Sequence, residues 1–284
     1  MKIGDCLRYA EDKLATVTDV PLLEAALLLA FVLDKPRSYV QAWPAQMLTA
    51  AQFEAFDILV TRRCAKEPLP YLTGRQAFWS LTFAVSPATL IPRPETELLV
   101  EQVLAVAPSD TVLSVVDLGT GSGAIGLSIA HERRKWHLSL TDQSEAALAM
   151  ASANAAQLDL ENVSFYCGNW CEALPPQQFD IIVSNPPYIG LREWDAYAAQ
   201  LQYEPIEALV SGEEGLDAIK KIILTAGHYL KEGGHLFIEH GYAQGEAVRA
   251  LFLLANYEAV CTFTDLSGHE RVTCGVLIKS DLPG

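Results

Sequence analysis

No apolar run in this sequence is long enough to cross a bilayer. The longest candidate, "LLEAALLLAFVL" (Leu22 to Leu33), is interrupted by Glu24 and closed by Asp34, whereas a spanning helix needs about 20 predominantly apolar residues. The opening "MKIGDCLRYAEDK" alternates charges and has no apolar signal core, which argues against export and for a cytoplasmic protein with no membrane partner. Cysteine is sparse too. Cys6, Cys64, Cys167, Cys171, Cys261 and Cys274 are scattered, and the one close pair, Cys167 and Cys171, has no second pair to complete a zinc site. The six histidines show no ligand-like spacing, so no metal is expected and the cysteines read as reduced and structural.

Positive charge is also in short supply: 20 Lys and Arg stand against 35 Asp and Glu, a net charge of −15. The deficit is local. Residues 1–75 hold nine basic and nine acidic side chains, leaving 11 basic against 26 acidic for the remainder. A surface this acidic repels a phosphate backbone, so direct nucleic-acid binding is not expected. The small basic clusters "TRRC" (Thr61 to Cys64) and "ERRK" (Glu132 to Lys135) read as solvated helix faces.

What is present suits a large core. With 284 residues, half of them hydrophobic, the chain can build a large domain and a small one. Apolar residues fall at helical spacing through residues 1–75, notably in "VPLLEAALLLAFVL" and in "TAAQFEAFDILVTRRCAKE", which has a helix start at Thr49. A small helical bundle is expected there. "PLPYLTGRQAFW" (Pro68 to Trp79) reads as helix-breaking, and "AFWSLTFAVSP" as a short hairpin, so residues 76–93 form a linker. Pro92 and Pro94 then hold an extended segment before a helix that begins near Glu95.

From residue 94 to the end a second domain is expected. Apolar runs at "VLSVVDL", "HLSLTD", "VSFYC", "FDIIVSN", "HLFIEHG" and "RVTCGVLIK" alternate with helical stretches such as "SEAALAMASANAAQLD" and "LDAIKKIILTAGHYLKEG". That alternation predicts an α/β fold, a mostly parallel sheet with helices on both faces. Ligands of such sheets bind at the carboxyl ends of the strands, where the strand order reverses.

Two stretches at strand ends carry chemistry. In "VVDLGTGSGAIG", Gly119, Gly121 and Gly123, with Thr120 and Ser122 between them, let the backbone turn sharply and approach a ligand closely. Asp117 ends that strand, and Asp142 ends the next, where an acid accepts hydrogen bonds from ribose hydroxyls. Gly119-x-Gly121-x-x-Ala124 also satisfies the loose dinucleotide fingerprint, so this loop by itself leaves a nicotinamide enzyme and an S-adenosylmethionine enzyme both open. Trp170, after the third strand, is placed to stack on a purine.

The second stretch is "SNPPYIG" (Ser184 to Gly190). Pro186 and Pro187 fix backbone angles and remove two N–H groups, leaving the turn's carbonyls aimed outward. A planar NH₂ group, in an amide or an aminopurine, is a poor nucleophile because its lone pair is delocalised. Asn185 Oδ1 and the Pro186 carbonyl could accept its two hydrogens and hold the remaining pair toward an electrophile. Those acceptors bind best when positive charge develops on the nitrogen. Tyr188 would cover the flat face. The electrophile this arrangement calls for is the methyl group of a sulfonium, transferred in line without a covalent enzyme intermediate.

"NPPY" after a strand, with "DLGTGSG" upstream, resembles the amino-group methyltransferases of the class I (Rossmann-like) S-adenosylmethionine fold. More narrowly, the chain is similar to the release-factor glutamine methyltransferases, the PrmC/HemK group, through "PYLTGRQAFWSLTFAVSPATLIPRPETE", "EPIEALVSGEEGLD", "IEHGYAQGE" and "DLSGHERV". The resemblance implies S-adenosylmethionine as cofactor and, as partners and substrates, bacterial class I peptide chain release factors, methylated on the glutamine amide nitrogen of their Gly-Gly-Gln loop. It implies that the Gly119 to Gly123 loop and Asp142 hold the cofactor, that Trp170 lines the adenine side, that Asn185 to Tyr188 grip the amide, and that the N-terminal helices help dock the substrate protein. Where family members commonly carry an acid before the Trp, this chain has Asn169, which can accept from an adenine amino group but brings no charge.

The alternative is an adenine-N6 methyltransferase acting on DNA or RNA, since the same motif grips an aminopurine. Such an enzyme flips its base and holds the backbone around it, which calls for basic grooves that the acidic catalytic part lacks. A non-catalytic S-adenosylmethionine sensor would not need Asn185 to Tyr188 intact. A hydrolase would need a nucleophile with a base, and Ser184 has no nearby His in sequence while His240 reads as a strand-end residue.

Overall fold

Good helix formers at helical spacing fill the first 75 residues, and helices form there: α1 (Ile3–Leu14), α2 (Pro21–Leu33), α3 (Arg37–Ala42), α4 (Ala50–Cys64) and α5 (Leu69–Thr73). On α1 the buried stripe Ile3, Cys6, Ala10 and Leu14 repeats at helical period and meets Leu28, Leu29, Phe56 and Val60 in one core. Thr49 starts α4 through a reciprocal cap: its Oγ1 accepts from Gln52 N at 3.2 Å, and Gln52 Oε1 accepts from Thr49 N at 3.0 Å. The helix-breaking reading of Pro68 to Trp79 needs one correction, because residues 69–73 are helical. Pro70 lies in the first turn, where its missing N–H is not needed, and Gly74 at φ +69° ends the turn.

The computed structural model describes residues 1–278, which fall into two units, Met1–Arg75 and a larger one from Gln76 onward. The expected hairpin is a two-stranded sheet of β1 (Arg75–Phe78) and β2 (Leu81–Ala84). A single 3₁₀ turn, Pro94–Thr96, leads into α6 (Glu97–Leu104). Then come β3 (Ser114–Leu118), α7 (Ala124–Glu132), β4 (His137–Asp142), α8 (Glu145–Gln157), β5 (Val163–Cys167) and β6 (Phe179–Ser184). The chain continues through α9 (Trp194–Leu201), α10 (Asp217–Ala226), β7 (Leu230–Glu239), α11 (Gly245–Leu254), β8 (Tyr257–Thr264) and β9 (Glu270–Leu277).

Among the described residues β3 to β9 form one seven-stranded sheet in the order β5-β4-β3-β6-β7-β9-β8. β5, β4, β3, β6 and β7 pair in parallel, and β9 is antiparallel to both β7 and β8. The mostly parallel α/β sheet read from the sequence is therefore observed. Alternate side chains feed opposite faces: Val115, Ile181, Val183 and Phe237 join one buried cluster, and Val116, Leu118, Ile182, Leu236 and Ile238 the other. Strand order reverses between β3 and β6, which puts the ligand crevice at Leu118 and Ser184.

Two elements depart from the sequence reading. The helical stretch expected to reach Gly233 ends at Ala226, and "LKEG" opens β7, whose pairing to β6 slips between Phe179 and Ile181. β8 has apolar residues at period two, Tyr257, Ala259, Cys261 and Phe263, but Ala259 and Cys261 are exposed and Val260 is half-buried. Its register shifts between Glu258 and Cys261, with Ala259 at φ +49°, so the buried side changes there. The last expected strand extends to Lys279, which lies outside the described residues.

Candidate active site

A cavity of about 380 Å³ opens at the carboxyl ends of β3, β4 and β6. Its floor is the loop after β3. Gly119 (φ +70°) and Gly121 (φ +58°) both line the cavity in the left-handed region that only glycine adopts freely. At Gly119 a Cβ would meet Trp170 Cζ3 at 2.9 Å, so the bare backbone is what lets the indole lie against the loop. At Gly121 a Cβ would meet no protein atom within 4 Å. The space beside it is the cavity itself.

Two aspartates fix this loop, in different ways. Asp117 is fully buried behind it: Oδ2 accepts from Thr120 Oγ1 at 2.5 Å and from Gly126 N at 3.0 Å, and Oδ1 has no partner. Burial pushes its pKa up to about 6 against the pull of those two hydrogen bonds. Asp142 lines the cavity, with Oδ2 accepting from Gly121 N and Oδ1 from Ser144 N, each at 2.9 Å. Partial burial raises its pKa as well, opposed by those backbone donors. Trp170, held at φ +50°, and Asn169 close the side beyond β5.

The roof comes from two distant segments, residues 88–90 and 205–208. Glu204, buried, joins them: Oε2 accepts from Ile91 N at 3.0 Å and Oε1 from the Arg93 guanidinium. Below, Asn154 on α8 ties the hairpin to the glycine loop. Its Oδ1 accepts from Ala84 N at 2.7 Å, while Nδ2 donates to Ala84 O at 3.0 Å and to Ser122 O at 2.8 Å.

Asn185 reaches the cavity from the end of β6, and its Nδ2 donates to Thr96 Oγ1 at 3.2 Å. That bond occupies the donor end of the amide and leaves the acceptor, Oδ1, for the cavity. Pro187 lines the wall beside it. The turn is held from behind by Gln244, whose Nε2 donates to Tyr188 O at 3.0 Å, and by Gly215, where a Cβ would fall 2.1 Å from that same oxygen.

The chain has known relatives. The family model described as methyltransferase small domain matches residues 94–212, and that described as PrmC N-terminal domain matches residues 5–74. The release factor glutamine methyltransferase of Coxiella burnetii is 44% identical over 272 residues, 96% of this chain and 98% of its own. That of Escherichia coli is 43% identical over 275 residues, 97% and 99% of the two chains. The chain belongs to the release factor glutamine methyltransferase family. Solved structures show the class I methyltransferase fold: a methyltransferase from Pyrococcus furiosus has a TM-score of 0.54 at 15% identity, over 71% of this chain and 91% of its own. A 16S rRNA methyltransferase of T. thermophilus, in complex with AdoMet and guanosine, has a TM-score of 0.53 at 20% identity, over 72% and 49%.

Of the residues singled out from the sequence, Gly119, Gly121, Asp142, Trp170, Asn185 and Pro187 come together around the cavity. Asp117, Thr120, Ser122, Gly123, Pro186 and Tyr188 are not in its wall. Asp117 and Thr120 bond to each other, and Gly123 (φ +86°) caps α7, where a Cβ would strike Leu127 Cδ1 at 2.6 Å. Tyr188 packs among the apolar residues of one sheet face, and burial raises its pKa. Ser184 and His240 are structural: Ser184 Oγ donates to Leu118 O at 2.7 Å, while buried His240 bonds Gly241 O and Thr273 Oγ1, both at 2.9 Å. The sequence reading missed Thr96, Asn154 and Gln244, whose signal lay only in the family-like stretches around Thr96 and Gln244. Asn154 sits mid-helix with no local mark.

Among the described residues no group of three or more His, Cys, Asp or Glu is arranged to hold a metal ion, and no helix is long and apolar enough to cross a membrane.

Proposed function

We propose that this protein transfers the methyl group of S-adenosylmethionine to the side-chain amide nitrogen of the glutamine in the Gly-Gly-Gln loop of peptide chain release factors. Family membership along nearly the whole chain supports the substrate, and the orientation of Asn185 carries the chemistry.

The cavity fits the cofactor on three features of the chain. Asp142, its two oxygens each taking one backbone N–H, keeps further lone pairs for ribose hydroxyls. Trp170 gives a flat face for the purine, and the backbone at Gly121 opens to a ligand with no side chain in the way. When bound, S-adenosylmethionine supplies a methyl group on a sulfonium whose leaving group is neutral. Asn185 Oδ1 would accept a hydrogen of the glutamine amide and turn its nitrogen toward that methyl group, while the Pro186 carbonyl, the second acceptor expected from the sequence, belongs to a buried residue outside the cavity wall. An amide nitrogen that loses conjugation and gains positive charge would be bound more strongly by the Asn185 oxygen than the resting amide is, and that difference would favour the reaction. The excess proton leaves after transfer, so a strong base at the amide is not needed.

Residues 1–75 serve as a docking module for the substrate protein in this reading. Their surface exposes Leu22, Phe31, Trp43 and Met47 in a unit with no net charge, the character of a protein-binding face.

The test is transfer of labelled methyl from S-adenosylmethionine to an intact release factor, to the same factor with its loop Gln changed to Ala, and to duplex DNA. Label on the intact factor alone is expected. Label on DNA would redirect the same chemistry to adenine and overturn the charge argument.

A further inference from the structure

Just past Glu239, the buried residue that ends β7, the chain makes a tight turn over Gly241 to Gln244 and enters α11. Gln244 is bound into that turn twice: its backbone N–H donates to Gly241 O at 2.9 Å, and its Oε1 accepts from Gly241 N at 2.8 Å. The other end of the side chain leaves the turn. Nε2 donates to Tyr188 O at 3.0 Å and to Glu214 O at 3.1 Å, so both amide hydrogens are used. A carbonyl only accepts and a backbone N–H only donates, so these three partners fix which end of the Gln244 amide is which.

The Tyr188 carbonyl and the Ile189 N–H are the two ends of one rigid peptide plane. Ile189 N donates to Leu209 O at 2.9 Å, and Gln244 takes the opposite end. Gly215 leaves room for that oxygen and no more, since a Cβ there would lie 2.1 Å from it. The plane is therefore held in one orientation. On the other side of the turn stands Ser184, paired in the sheet with Leu118 and Ile238. Only Asn185, Pro186 and Pro187 separate that anchor from Tyr188, and the rings of both prolines lock φ at about −65°. Few torsions are left to absorb a rotation of the plane, so a rotation passes into Asn185 and Pro187, the two residues of the turn that line the cavity. Gln244 is outside the cavity wall and reaches the cavity only through this turn.

We propose that Gln244 is a positioning residue for methyl transfer: by holding the Tyr188 carbonyl it sets where Asn185 Oδ1 points in the cavity. The inference deepens the glutamine-amide reading of the site and rests on it. Through Glu214 the same amide secures the far end of the segment whose residues 205–208 roof the cavity. Glu204 anchors that roof independently at Ile91 and Arg93, so cofactor binding does not depend on Gln244.

The experiment uses the full chain with Gln244→Ala and with Gln244→Glu, which keeps the size of the side chain and replaces its donor end by an acceptor. Three readouts are taken well below the melting temperature of each protein: methyl transfer to an intact release factor, affinity for S-adenosylmethionine by isothermal titration, and the side-chain NH₂ signals of Asn185 by NMR, assigned through Asn185→Ala. Both variants are expected to lower kcat by about tenfold or more through misplacement of the turn, with cofactor affinity within about threefold of wild type. The Asn185 NH₂ signals move in both. Wild-type kcat in Gln244→Glu would show that size alone suffices and would overturn the proposal, as would unmoved Asn185 signals or equal losses of kcat and cofactor affinity. If the wild type labels no release factor, the substrate reading fails, and the NMR signals still decide whether Gln244 positions Asn185.

Discussion

Replacing Glu239 by Gln has a consequence for folding that can be measured separately from activity. The folded protein holds the Glu239 proton with a pKa of about 7, against 4.5 when exposed. Between those values the folded state binds more protons than the unfolded state, so this group makes stability fall as pH rises. The full effect, about 2.5 pKa steps at 1.36 kcal/mol each, is about 3 kcal/mol, present above pH 8 and absent below pH 4. Other groups titrate over the same range, Asp117 among them with its value near 6, and each behaves alike in both proteins. The difference between variant and wild type therefore isolates Glu239. Urea unfolding at pH 5 and pH 8 should show the variant gaining roughly 2–3 kcal/mol relative to wild type across that interval, whatever its absolute stability at either end. A difference that stays constant, or that favours wild type as pH rises, would refute the view that Glu239 is a carboxylate penalised by burial.

Asn185→Ala should lower kcat by a hundredfold or more while changing S-adenosylmethionine affinity far less; an equal loss in calorimetric affinity and turnover would remove the amide-gripping role. Asp142→Ala should weaken the cofactor by roughly tenfold to a hundredfold through lost charge-assisted hydrogen bonds, checked by isothermal titration. Asn154→Ala removes three hydrogen bonds from a buried site and strands two carbonyls and an N–H, so chemical denaturation should show a loss of about 3–4 kcal/mol. Gly119→Ala sets a Cβ 2.9 Å from the Trp170 ring at φ +70°, and should cost about 1–2 kcal/mol in backbone strain with a clear drop in cofactor affinity.

The sheet was legible because its parallel strands, continuous apolar runs at β3 and β6 and shorter apolar segments at β4, β5 and β7, stand out between helices. β8 escaped because it is a half-exposed edge strand whose buried side changes at Ala259, and the end of α10 escaped because "HYLKEG" suits a helix as well as the strand that pairing to β6 makes of it. At the site, the placement of Gly119, Asp142 and Asn185 at the cavity was readable because it follows from strand ends and turn chemistry. Asp117 was legible as a strand-end acid, yet its side chain turns toward Thr120 and Gly126, away from the cavity. Residue type cannot convey that direction. Thr96 and Asn154 act through partners 89 and 70 residues away in sequence, distances over which no local pattern carries information.

The roof of the cavity spans the chain: Glu204 takes the N–H of Ile91 across 113 residues, while the floor belongs to loops after β3 and β4. A molecule filling that space therefore touches segments more than a hundred residues apart, which meet only in the folded unit. Occupancy and folding become one equilibrium. At a hundred times its dissociation constant a ligand there adds about 2.7 kcal/mol to the unit's resistance to unfolding, so a melting curve taken with and without a candidate compound is enough to rank what this cavity accepts.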